Sequence, residues 1–158
     1  MQEYIHSNNI FNNPIFLAAI FSWFFTQFVK TVIIIILKPG QMPIRYYISI
    51  LLWKTGGMPS SHSALVTALA TSIGFKEGFD SSLFIVACAY SLLVIRDAVG
   101  VRRSAGIQAR TLNKLGSDLH EKLNIDYKSV KEISGHSVSE VFIGIIIGFF
   151  IAVAFSIL

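Results

Sequence analysis

Two histidines stand in short polar runs that each open an apolar stretch, His62 within GGMPSSHS and His136 within GHSVSE. A neutral imidazole can attack phosphorus, and a second imidazole can protonate the leaving oxygen. Glu140, four residues after His136, falls on the same helix face, where its carboxylate can fix the tautomer of that ring. Cations for a phosphate group are at hand in Lys30, Lys38, Arg45, Arg102 and Arg103, and Arg can grip such a group with two parallel hydrogen bonds. Ser60 and Ser61, just before His62, sit where a helix begins and leaves N–H groups free for an anion. Asp97 is read as a supporting residue that neutralises Arg96 or Arg102. This set is suited to the chemistry of a phosphate ester. No Cys pair, HExxH run or close carboxylate cluster has metal-ligand spacing, so neither a metal nor another cofactor is expected.

What must position these residues is a membrane bundle. Hydrophobic residues make up 53% of the 158 and charged residues 14%, too apolar a balance for an ordinary soluble domain. Three stretches, near residues 15–37, 81–101 and 138–158, approach the roughly 20 residues a helix needs to cross a bilayer. A fourth, from Ala64 to Phe75, is shorter and rich in Ala, Thr and Ser, which suits a helix enclosed by the other three. The expected fold is therefore all-α: one domain over residues 1–158, with about four transmembrane helices. To these are added an interfacial segment from Pro43 to Trp53 and a polar excursion from about Gly100 to Gly135. Gly144 and Gly148 form a GxxxG pair that admits packing within the bundle or a homodimer. Cys88, the single cysteine, reads as a packing residue.

Charge sets the expected orientation. With four spans, Lys38, Arg45, Lys54, Arg102, Arg103, Arg110, Lys114, Lys122, Lys128 and Lys131 fall on one side, while Lys76 alone falls on the other. The positive-inside rule makes the first side cytoplasmic and puts both termini outside. The net charge of +4 then reads as loop topology and attraction to anionic headgroups rather than nucleic-acid binding. Alternating helix direction carries His62, Asp97, Arg102 and His136 to the cytoplasmic face together.

At these residues the sequence resembles the type 2 phosphatidic acid phosphatase superfamily, which also includes vanadium haloperoxidases, and most closely its small divergent branch of membrane proteins. Gly56 to Ala64 is similar to the PSGH motif, with Ser61 in place of glycine and His62 in the general-acid position. GHSVSE resembles the end of the SRxxxxxHxxxD motif, with His136 in the nucleophile position and Glu140 where aspartate usually stands. Asp97 to Ala109, DAVGVRRSAGIQA, looks like the divergent branch's own signature. The resemblance runs from about Gln27 to Gly148.

Two departures stand out. Val130 occupies the position of the superfamily's phosphate-binding arginine, six residues before His136, so Arg102 or Arg103 is left to fill that role. The spacing of Lys38 to Arg45 fits KxxxxxxRP, but Tyr46 follows instead of proline, and Lys30, inside the first helix, competes with Lys38 and ranks slightly ahead of it. The resemblance implies a metal-independent lipid phosphate phosphatase of the bacterial inner membrane, forming a phosphohistidine on His136 at the cytoplasmic face. Its substrate would be phosphatidylglycerophosphate, phosphatidate or a polyprenyl phosphate. The alternative expectation is a non-catalytic membrane module that binds anionic headgroups or a protein partner through the same basic face.

Overall fold

Local chemistry starts and stops each helix. The Asn13 side chain accepts a hydrogen bond from Ile15 N–H at 3.0 Å, and Pro14 takes the first helical position, so α1 begins at once and runs over Pro14–Leu37. Ser60 caps α3 (Ser61–Glu77), and Ser81 caps α4 (Ser82–Arg96) by accepting from Phe84 N–H at 3.2 Å. Gly78, at φ +96°, closes α3, and its N–H reaches Gly74 O. A short helix, α2 (Ile44–Leu52), packs against α1. The last helix, α6, covers Val138–Ile157. The structure is a computed structural model and describes residues 10–37, 43–52 and 56–157.

Among the described residues three helices are long and apolar enough to cross a membrane: Pro14–Leu37, Ser82–Leu123 and Val138–Ile157. α3, with 17 residues, is about 25 Å long at 1.5 Å per residue, close to the thickness of a bilayer's hydrocarbon core. It lies among α1, α4 and α6 and packs against all three. Its small residues explain the position: Ser63, Ala64, Ala68, Ala70 and Gly74 are buried, and none keeps a neighbouring backbone at a distance. α6 comes closest. A Cβ on Gly144 would lie 2.4 Å from Ser60 O and one on Gly148 2.2 Å from Ala64 O, so the GxxxG pair is occupied by α3.

The polar excursion is more ordered than a loop. α4 does not end where its apolar residues end; it continues through a π-helical turn, Asp97–Val101, into α5 (Arg102–Leu123), one helix of 42 residues. Asn124, in the left-handed conformation at φ +53°, stops α5, and its N–H bonds to His120 O. From there the chain returns along α5. The Tyr127 ring covers Gly116, Ile133 O fits against Gly106, and Gly135 meets the backbone of Arg103. Between these contacts the Asn113 side chain both donates to Val130 O and accepts from Val130 N–H, each at 2.9 Å.

Candidate active site

The returning segment delivers His136 to the π turn. Its backbone N–H donates to Ala98 O at 3.1 Å, and the ring is 3% exposed. π turns recur at functional sites, and here Asp97 and Ala98 both line the cavity that His136 enters. Two residues later α6 begins with a reciprocal cap: Ser137 Oγ accepts from Glu140 N–H at 3.4 Å, and Glu140 Oε2 accepts from Ser137 N–H at 3.1 Å. The same Oε2 lies 2.9 Å from His136 Nδ1. A carboxylate only accepts, so Nδ1 carries the hydrogen and Nε2 is left with a free lone pair.

His62 occupies the first turn of α3 and is half-buried. It shares with His136 a cavity of about 20 Å³ whose other walls are Val94, Asp97, Ala98, Arg102 and Ser134. That is room for about one water molecule. The Arg102 Nε–H donates to Asp97 Oδ2, and Arg102 keeps 45% of its side chain exposed, so its guanidinium is held at the mouth rather than sealed inside. A wider groove of about 330 Å³ shares His62, Val94, Asp97 and Arg102 with this cavity and continues along Leu65, Val66, Tyr90 and Leu93.

On the other side of Ser134 lies a second cavity, about 200 Å³, walled by Lys30, Ile34, Tyr46, Ile50, Gly56 and Gly57. Gly56 and Gly57 adopt φ of +90° and +81°, which favours glycine, and a Cβ on Gly56 would stand 2.8 Å from Ser134 Cβ. Lys30 is 1% exposed, and its Nζ has no hydrogen-bond partner among the described residues. It lies within electrostatic reach of both Glu140 and His62. Glu140 is already bonded to His136, and Asp97 to Arg102. Among the described residues the lysine charge therefore lacks a dedicated counter-ion, and a bound anion would supply one.

The sequence-derived site residues divide accordingly. His62, His136, Glu140, Asp97, Arg102 and Lys30 come together around the two cavities. Ser60 and Ser61 are buried at the start of α3, where Ser60 Oγ is taken up by Ser63 N–H and by the Ser63 hydroxyl at 2.9 Å. Arg45 on α2 and Arg103 on α5 are exposed and line none of the described cavities, while Lys38 lies outside the described residues. Val130 explains one departure. Its backbone is pinned to Asn113, eleven residues along α5 from Arg102 and therefore about 16 Å away. Arg102 is the arginine in the cavity.

Sequence reasoning passed over Ser134, which touches both cavities, and the Ala98 carbonyl. A signal for the burial of Lys30 was present. Ser22, Thr26 and Lys30 recur every four residues in an otherwise apolar helix, and all three are buried, with Gln27 beside them.

The sequence model of the Divergent PAP2 family matches residues 11–151, wider than the stretch delimited by the motifs. The uncharacterized membrane protein YuiD of Bacillus subtilis (strain 168) is 42% identical over 120 aligned residues, covering 66% of this chain and 76% of the relative. No solved structure matches. A helical membrane bundle whose paired histidine motifs fall within a match of this extent is a member of the divergent PAP2 family.

Proposed function

We propose that the protein is a metal-independent lipid phosphate phosphatase that hydrolyses a phosphomonoester such as phosphatidylglycerophosphate, phosphatidate or a polyprenyl phosphate. One observation carries this reading: a buried His136, its Nδ1 held by Glu140, lines the same cavity as His62 and Arg102. In the first step the Nε2 lone pair of His136 attacks phosphorus, the bond from phosphorus to the lipid oxygen breaks, and protonated His62 gives its proton to that oxygen. In the second, water attacks the phosphohistidine, His62 takes a proton from it, and the P–N bond breaks to release phosphate. Arg102 and Lys30 balance the charge on the transferring group. The excess of Lys and Arg in the loops on this side supports a cytoplasmic position for this end of the bundle, with both termini outside.

A cavity with room for about one water is closed to a phosphate group until a wall gives way, and the exposed Arg102 is the wall with most freedom to move. The same closure favours the second reading, a module that binds headgroups at the mouth without turnover. The test is phosphate release by purified protein in detergent with EDTA, over the three lipid classes, with His136→Ala alongside. Release is expected to persist in EDTA and to fall at least about a thousandfold in the variant. Lipid binding without release, unaffected by changing either histidine, would establish the module instead.

A further inference from the structure

The wider groove beside the histidines has two ends of opposite character. At one end stand His62, Asp97 and Arg102; along the rest are Leu65 and Val66 from α3 and Tyr90, Leu93 and Val94 from α4. Tyr90 and Leu93 are exposed and continue an outer face of α4 that also exposes Leu83 and Val86. This face belongs to a helix apolar enough to cross the membrane, so the groove opens sideways towards hydrocarbon. A ligand filling it must be charged at one end and apolar along its length.

From this we infer that the substrate enters from within the bilayer between α3 and α4. Its phosphate lies at the histidines and the first part of its single nearest alkyl chain lies along Leu65, Leu93 and Tyr90. The inference rests on the phosphatase reading and adds the residues that select for a chain. Tyr90 stands seven residues before Asp97, two turns of α4 and about 10 Å from the charged end. Beyond Tyr90 the chain passes into surrounding lipid and gains nothing further from the protein.

The experiment is kcat/KM for a series of monoalkyl phosphates of increasing chain length, and for chainless p-nitrophenyl phosphate, in wild type and Leu93→Trp. Leu93 is exposed, so the larger ring blocks the groove without entering the core. In wild type, kcat/KM for esters dissolved as monomers in water is expected to rise by roughly fourfold per methylene over the lengths that span the groove to Tyr90. Leu93→Trp is expected to flatten that rise, costing at least about tenfold on the longest chain. Turnover of p-nitrophenyl phosphate should fall far less than that of the longest chain, and an unchanged thermal unfolding midpoint serves as the folding control. A rise of the same size in both proteins, or no dependence on chain length, overturns the groove while hydrolysis stands. If the wild type releases phosphate from none of these esters, the phosphatase reading falls and the groove's role falls with it.

Discussion

The two helix starts that carry the histidines are built differently. At the start of α6 everything is tied: His136 N–H to Ala98, its Nδ1 to Glu140, and Glu140 to Ser137. At the start of α3 the ties are among serines, Ser60 and Ser63, and no hydrogen bond to the His62 ring is formed among the described residues. A nucleophile benefits from a fixed lone pair and a defined tautomer. An acid that must meet a leaving oxygen and then an incoming water benefits from being held less. In the proposed mechanism the tied ring therefore suits the attack and the looser one the proton transfer.

Four substitutions can break that contrast or sharpen it. The largest effect is expected from His62→Ala on alkyl esters, a loss of about 10²–10⁴-fold in kcat. Aryl phosphates, whose leaving group needs no proton, should lose far less, and an equal loss on both would deny His62 its role as acid. Glu140→Gln should lower activity by about a hundredfold or more on alkyl and aryl esters alike, because the clamp serves the attacking ring. A loss confined to alkyl esters would reverse the two assignments.

Lys30→Met is expected to cost about a hundredfold in kcat/KM while the thermal unfolding midpoint holds or rises, since a buried ammonium without its own partner destabilises. A lower midpoint with unchanged turnover would make Lys30 a structural partner of Glu140. The smallest effect is expected from Gly148→Ala. The added Cβ would meet Ala64 O at 2.2 Å, costing about 1–3 kcal/mol, visible as a lower unfolding midpoint. If the midpoint does not move, α3 and α6 are not in fixed register, and the spacing of the two histidines is not set by that contact.

Much of this was legible because it is local. A capping serine, a proline at the first turn or a glutamate four residues past a histidine acts within one turn of helix, so the starts of α3 and α6 and the Glu140 contact follow from spacing alone. The burial of the small-residue helix α3 followed from composition. What could not be read depends on distant pairing or on structure that ignores composition. α5 carries on from α4 because backbone hydrogen bonding continues through Gly100 into Arg102 although the apolar residues stop there. Asn113 and Val130 lie 17 residues apart with no shared pattern. The choice of Arg102 over Arg103 depends on the phase of the helix after the π turn, which one extra residue per turn changes. Lys30 was legible as a site residue from its place inside an apolar helix, and its lack of a partner was not.

One oxygen of Glu140 both closes the first turn of α6 and orients His136. In evolutionary terms, folding and the proposed chemistry are thereby placed under a single constraint. A lineage that had abandoned catalysis would still be selected to keep Glu140, because losing it frays a helix, whereas nothing in the fold would similarly compel an imidazole at position 136. The histidine, rather than its clamp, is therefore the residue whose retention or loss in a descendant would report whether that descendant still does chemistry.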